Sequence, residues 1–323
     1  MSDQPAVSSG ACEPEIDILL ATWNNARWFE PLLESLLAQT VQDFRLIVSD
    51  DCSKDDTLAI LERYRDRFRH PVTIVRREVP SGTAAANFAS LMKMSRAEWV
   101  FLCDGDDVWY PEKLEKFVAA GKRLEAEHGP ETPVFVFSDT EVIDGEGRVT
   151  QPSYWAFKNT DAFRCLSLGR ILFYGPMLGC ACVMNRSLTR LASDVPVGRV
   201  AGHDWWIALV AASLGVVDAI PDKTIGYRIH GGNNSQPKRV SVGGLAKLGK
   251  PVHEVRRRLA TRIRQAEPLL EQFGDRIPPE RREIIERFIA VRDRSFIGRR
   301  FALWRYGFRY PDPLRNTALF LFC

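Results

Sequence analysis

Little in this chain favours a small stapled fold or a membrane-spanning one. No apolar stretch reaches the roughly 20 residues that cross a bilayer. The start, Met1 to Pro14, is polar and rich in small residues and lacks a basic-then-apolar leader layout, so residues 1–14 read as a disordered lead-in. Seven cysteines stand in no metal-ligand spacing, and an odd number without a framework fits reduced thiols in a cytoplasmic protein. No internal repeat recurs, which excludes a solenoid. Neither sign of charge dominates: 44 basic against 41 acidic residues leave a net +3, so composition demands no nucleic-acid partner. The basic residues gather in one tail and no nucleic-acid reader motif appears.

What is present suits one large α/β domain with an appendage. The chain has 323 residues, 45% of them hydrophobic. Ile16–Ala21, Phe44–Ser49, Val72–Val75, Trp99–Leu102 and Val134–Phe137 read as buried strands. Between them lie helical patterns: Phe29–Gln39 with Pro31 in its first turn, a segment carrying Leu58, Leu61 and Phe68, one opened by Ser81-Gly82-Thr83, and one opened by Pro111. Asp55 or Asp56 suits the cap of the second helix. Strict alternation predicts a parallel sheet with right-handed crossovers and a ligand crevice at the carboxyl ends of its strands. After about residue 140 the alternation fades. Gly175–Asn185 reads as a strand or loop beside the crevice, and His203 opens an apolar helix to about Leu214. From about Ser241 the sequence turns basic and helical.

Three polar clusters end the strands: Thr22-Trp-Asn24, Asp50-Asp51 and Asp104-Gly-Asp106-Asp107. The crevice rule brings them together although they are far apart in sequence. So much negative charge at a buried strand end is costly unless a cation or ordered donors satisfy it. Clustered hard oxygen ligands suit Mg²⁺ or Mn²⁺, with substrate phosphates completing the coordination. The third cluster therefore points to a metal-dependent enzyme acting on a diphosphate compound.

Together these stretches resemble family-2 glycosyltransferases of the GT-A fold, and most closely the bacterial rhamnosyltransferase-like group that builds surface polysaccharides. The resemblance rests on Leu20-Ala-Thr-Trp-Asn-Asn25, Val48-Ser-Asp-Asp-Cys-Ser-Lys-Asp55, Phe101-Leu-Cys-Asp-Gly-Asp-Asp107, His203-Asp-Trp-Trp206 and Tyr227-Arg-Ile-His-Gly231, in that order, over about residues 16–235. It departs from the pattern at Cys52, where a small residue such as Gly is usual, and at Ala86, where an Arg is common. The implied fold is a Rossmann-like, mostly parallel sheet flanked by helices. Its nucleotide-sugar half is expected at about 15–140, its acceptor half at about 141–240, and a basic helical region at 241–323.

The resemblance also implies roles. Asp106 would bind the metal directly, with Asp104 near the ribose or metal and His230 as a further metal or diphosphate contact. Asp50, with Asp51 beside it, would accept a hydrogen bond from the nucleobase. Thr22 and Asn24 would line the base and ribose pocket. Asp204 would be the general base for inverting transfer, and Trp205 and Trp206 would shape an acceptor-sugar site. Asp107 reads either as support for the metal ligands or as a helix cap. Residues 231–234 would form a lid over the donor.

The implied cofactor is Mn²⁺ or Mg²⁺. The implied donor is a nucleoside diphosphate sugar, dTDP-rhamnose in the leading reading and a UDP-hexose or UDP-N-acetylhexosamine in the alternative. The implied acceptor is a cell-surface glycan or lipid-linked saccharide. The tail, with Arg256, Arg257, Arg258, Arg299, Arg300, Arg305 and Arg309 among Phe296, Phe301, Trp304 and Phe308, suits peripheral contact with the inner face of the cell membrane. Two rivals remain. A nucleotidyltransferase would want a Gly-rich phosphate loop after the first strand, and Thr22-Trp-Asn-Asn25 is not one. A non-catalytic membrane-associated scaffold would have no need of intact acidic clusters.

Overall fold

The computed structural model describes residues 14–231 and 251–310, with residues 316, 317, 319 and 320; the side chains of 251–256 are not among the described atoms. The lead-in, the lid beyond Gly231 and the Arg256 side chain lie outside the described residues.

In chain order the elements are β1 (Ile16–Thr22), α1 (Ala26–Leu37), β2 (Phe44–Asp50), α2 (Thr57–Tyr64), β3 (Thr73–Arg76), α3 (Ala84–Met94), β4 (Trp99–Asp104), β5 (Val108–Trp109) and α4 (Lys113–His128). They continue as β6 (Val134–Ile143), β7 (Val149–Gln151), α5 (Tyr154–Phe157), α6 (Leu168–Phe173), β8 (Cys182–Asn185), α7 (Arg186–Ala192), α8 (His203–Leu214) and β9 (Val216–Arg228). The last helices are α9 (Pro251–Phe273), α10 (Pro279–Ile289) and α11 (Phe296–Arg305).

The sheet order is β3-β2-β1-β4-β8-β6-β9-β5, with β7 on the flank of β6. β1 to β4 pair in parallel, as alternation predicts. The sheet is mostly parallel, as expected, with β8 running antiparallel between β4 and β6. The reason is connectivity. β8 is reached from β7 through α5, α6 and the 3-10 turn at Gly179–Ala181, a path that delivers it to the sheet from the opposite end. β6 and β9 are again parallel. The two expected halves, 15–140 and 141–240, thus share one continuous sheet.

Buried strands alternate which face each side chain covers. Ile18, Leu20, Val48 and Phe101 point to a layer formed by α1, α2 and α4, with Phe29, Leu32, Leu61 and Phe117 inside it. Leu19, Ile47, Val100 and Leu102 point to the opposite layer with Phe88, Leu172, Trp206 and Leu209. Ile263, Leu269, Phe273, Ile285 and Phe288 from α9 and α10 join that second layer, so much of the basic C-terminal region is packed onto the domain.

α1 begins earlier than the sequence suggests, which leaves Pro31 inside the helix rather than in its first turn. Loop acceptors explain the extension. Asp55 accepts the Ala26 N–H at 3.0 Å, and Thr57 Oγ1 accepts the Asn25 N–H at 2.9 Å. Asp55 also accepts the Thr57 N–H at 3.1 Å, so one carboxylate supports the starts of α1 and α2.

Candidate active site

The strand register brings the three acidic or polar turns together. Thr22 lies opposite Asp50 on one side of β1, and Ala21 lies opposite Asp104 on the other. The Asp51 N–H donates to the Thr22 carbonyl at 2.9 Å. Gly105 packs so closely on Asn25 that a Cβ there would collide with the Asn25 side chain. Only glycine lets the turn after β4 close against the turn after β1.

The turn after β1 is held by its own polar atoms. Thr22 is buried and donates through Oγ1 to Asn25 Oδ1 at 2.9 Å. Asn24, with φ +51, accepts the Lys54 N–H through Oδ1 at 2.8 Å and donates its own N–H to Ser53 Oγ at 2.9 Å. Asp51 accepts the Ser81 N–H at 2.6 Å and the Ser81 hydroxyl at 2.8 Å, with the Arg77 guanidinium 3.8 Å away. These three residues brace the loops. Asp50 differs: Oδ2 accepts the Ser53 N–H at 2.9 Å, while Oδ1 is buried without a partner in the protein. An orphaned buried acceptor is costly and suits a ligand donor.

The third cluster is more crowded. Asp106 Oδ2 lies 2.8 Å from His230 Nε2, and the His230 ring stacks on Trp28 with centroids 3.9 Å apart. Trp28 in turn donates its indole N–H to the Gly145 carbonyl at 3.0 Å. Arg228 donates to the Asp106 carbonyl at 2.7 Å and to the Asp144 carbonyl at 2.8 Å, and its backbone N–H donates to Asp107 Oδ1 at 2.9 Å. The end of β9 is therefore laced to the acidic turn. Asp107 supports this lacing rather than capping α4; it is fully buried and its Oδ2 has no protein partner. Burial, with repulsion from Asp106 and Asp104, pushes its carboxyl well up. Burial, then repulsion from the Asp106 and Asp204 carboxylates, raises Asp104 to about 7.

Sequence reasoning missed Lys113. It is 1% exposed, donates from Nζ to the Cys180 carbonyl, and sits 3.4 Å from the centroid of the Trp109 ring. Burial lowers its pKa to about 8. The cation partly offsets the carboxylates of Asp104 and Asp107 from below. A signal existed: Lys113 shares the inward phase of α4 with Leu114 and Phe117, where a charge is anomalous.

α8 supplies the far wall. Asp204 lies in its first turn and is near enough to Asp104 for the two charges to repel. His203 packs against the Phe88 ring at 4.3 Å, and burial holds its pKa below the ordinary value. Trp205 is half-buried and donates its indole N–H to the Ile171 carbonyl at 2.7 Å. Trp206 is fully buried, stacks on Phe273 and donates to the Ala192 carbonyl at 3.1 Å. The apolar core has taken it, and Trp205 is the partly exposed ring of the pair. Tyr154, unremarked in the sequence, packs edge-on against Tyr227, and the Asp204 charge contributes to its raised pKa after burial and Tyr174.

The donor set fits a divalent ion. Asp104, Asp107 and Cys180 have ligand atoms within 4.8 Å of one another, and Asp107 Oδ2 lacks a partner. The Cys180 thiol is pushed well up by burial, so it is neutral and soft, a poor ligand for Mg²⁺ or Mn²⁺. This gathering differs from the expected set of Asp104, Asp106 and His230, in which Asp106 and His230 contact each other at 2.8 Å.

An acidic strand-end crevice on this largely parallel sheet defines a GT-A-type glycosyltransferase fold. Residues 17–128 match the model of the family described as glycosyl transferase family 2. It is 26% identical to an uncharacterized glycosyltransferase of Nostoc sp. over 68% of this chain and 66% of that protein. It is 30% identical to the dTDP-rhamnosyl transferase RfbG of Shigella flexneri over 31% of this chain and 35% of that one. These matches span about one third to two thirds of the relatives' lengths. Among solved structures, S. aureus TarS in complex with UDP-GlcNAc superposes with a TM-score of 0.56 at 18% identity, covering 94% of this chain and 78% of that one. The mannosyltransferase PcManGT of Pyrobaculum calidifontis, in complex with GDP-Man and Mn²⁺, gives 0.54 at 15% identity, covering 95% and 76%.

Proposed function

We propose that this chain is an inverting, metal-dependent glycosyltransferase that moves a sugar from a nucleoside diphosphate to a hydroxyl of a cell-surface glycan or lipid-linked saccharide on the cytoplasmic side of the membrane. The observation that carries the reading is the convergence of Asp104 and Asp204, 100 residues apart in sequence, on one crevice where their charges repel. Such a pairing is expensive in an idle protein and useful where one carboxylate serves the donor and the other the acceptor.

Asp106, His230 and Asp104 would hold Mn²⁺ or Mg²⁺, and the bound ion would neutralise charge on the departing nucleoside diphosphate. Asp50 would accept the imide N–H of a uracil or thymine through its unpaired Oδ1. Thr22, Asn24 and Asp51 would shape the wall behind the nucleoside by fixing the two loops. Asp204 would take the acceptor hydroxyl's proton as its oxygen attacks the anomeric carbon from the side opposite the diphosphate. Trp205 would offer part of the acceptor surface.

Rhamnose on dTDP is the leading donor, supported by the likeness to a dTDP-rhamnosyl transferase. Donors of the UDP-hexose or UDP-N-acetylhexosamine class are the alternative, supported by fold likeness to a protein solved with UDP-GlcNAc. The test is release of nucleoside diphosphate from dTDP-rhamnose, UDP-glucose and UDP-N-acetylglucosamine in the presence of Mn²⁺. Release of dTDP alone supports the leading reading, and release of UDP alone supports the alternative. No release from any donor, with no metal-dependent binding, would leave the scaffold reading.

A further inference from the structure

α11 carries an outward face whose composition is unusual for a surface helix. Phe296, Ile297, Phe301 and Trp304 are 60%, 78%, 59% and 59% exposed. At 3.6 residues per turn these four positions and Arg300 fall on one side of the helix. Ala302 and Leu303, each about 100° or more around the helix from Ile297, Phe301 and Trp304, are fully buried against the domain. The helix is thus already anchored by its inner face, and the outer stripe is not needed to hold it. Isolated exposed apolar residues are ordinary, but four large ones in one stripe mark an interaction surface.

Charge identifies the kind of partner. Residues 290–310 hold six arginines against one aspartate. Arg292 is engaged by Glu267 at 2.8 Å and by Asp293 at 3.6 Å. Arg300 lies over the Phe296 ring at 3.2 Å, at the edge of the stripe, and the exposed Arg305 borders its other edge. A second copy meeting this helix through the same face would bring arginine against arginine. An anionic lipid surface meets both features, taking the apolar side chains at the headgroup–acyl boundary and pairing phosphates with the guanidiniums. Among the described residues no helix is long and apolar enough to cross a membrane, so the geometry is one of lying on a bilayer rather than spanning it.

We infer that the outer face of α11 seats the protein on an anionic membrane surface through Ile297, Phe301 and Trp304, with Arg300 and Arg305 flanking them. The inference is independent of the sugar-transfer reading. The test is co-sedimentation of the full chain with vesicles of phosphatidylcholine alone and with about 30% phosphatidylglycerol. Binding is expected only to the anionic vesicles and is expected to weaken with salt. The triple variant I297S/F301S/W304S should partition at least about tenfold less while keeping the parent's thermal midpoint, because these side chains face outward. Equal partitioning of parent and triple variant overturns the inference, as does absence of vesicle binding. A concentration-dependent dimer abolished by the same variant, without vesicle binding, would assign the face to a second copy and would overturn it equally.

Discussion

His230 and Asp106 lie 124 residues apart in the chain and 2.8 Å apart in space, joining the end of β9 to the acidic turn after β4. The contact places an imidazole and a carboxylate side by side at the mouth of the crevice, with Trp28 fixing the ring from above. If the pair holds a divalent ion, Asp106→Asn should weaken Mn²⁺-dependent binding of a nucleoside diphosphate by more than about tenfold. His230→Ala should do the same, with a larger loss for Mn²⁺ than for Mg²⁺, because imidazole suits the first better. Titration calorimetry with each ion checks both; equal losses for the two ions would remove His230 from the ligand set.

Asp204 is expected to act on chemistry rather than on donor binding. Asp204→Asn keeps the side chain's size and should cut turnover by about a hundred- to ten-thousand-fold. Binding of dTDP or UDP should be unchanged. Retained turnover in a rapid-quench assay would reject Asp204 as the base.

Asp50 offers a sharper test of the nucleobase pocket. Asp50→Asn can preserve the Ser53 contact while presenting an N–H₂ where the base needs an acceptor. Pyrimidine nucleotide affinity should fall by roughly tenfold or more, with little change in thermal stability. Unchanged affinity would place the base elsewhere.

Lys113 should matter for the fold of the site. Lys113→Met fills similar space but removes the buried cation beneath the acidic turn and leaves the Cys180 carbonyl without its donor. The stranded Cys180 carbonyl should cost about 1 to 3 kcal/mol, partly offset below about pH 8 by relief of the amine's burial penalty, read as a shift in the urea midpoint. A neutral result would mean the carboxylates above it are neutralised without help.

The same groups set the pH dependence of stability without added metal. Asp104, raised from 3.8 to about 7 by burial and by its acidic neighbours, holds its proton longer folded than unfolded. Its contribution to stability is therefore present at low pH and is lost as pH rises from 3.8 to about 7. Lys113, lowered by burial from 10.5 to about 8, releases its proton earlier in the folded state, so its penalty fades as pH rises from about 8 to 10.5. Denaturant titrations across pH should show the acid-side decline flattened in Asp104→Asn and the alkaline-side rise flattened in Lys113→Met.

The layout of the crevice was legible in the sequence because strand ends are punctuated so plainly. Trp99–Leu102 is uniformly apolar and the acidic turn follows almost at once, so both the strand and the place of Asp104 and Asp106 could be read from pattern alone. The opening of α8 at His203 was likewise marked by the shift to an apolar run. The insertion of β8 was not legible, since four residues carry no direction and pairing partners are set by tertiary contacts. Nor was the division of labour inside each cluster. Asp50 and Asp51 are adjacent and chemically identical, yet only the folded loops show that Ser81 engages one and leaves an oxygen of the other unpaired. Trp205 and Trp206 are a similar case, separated by 100° of helix rotation that sends the second into the core. Cys52 fits the same lesson. Its φ of +65 explains why a residue such as Gly is usual there, and its thiol donates to the Arg77 carbonyl at 3.1 Å.

Calorimetric titration of dTDP and UDP into the protein, with Mn²⁺ and with chelator, on the parent and on Asp106→Asn, probes the account at its root. The expected result is a nucleoside diphosphate that binds the parent only when Mn²⁺ is present and binds Asp106→Asn at least about tenfold more weakly. Binding that is indifferent to Mn²⁺, or equal in the two proteins, would contradict it.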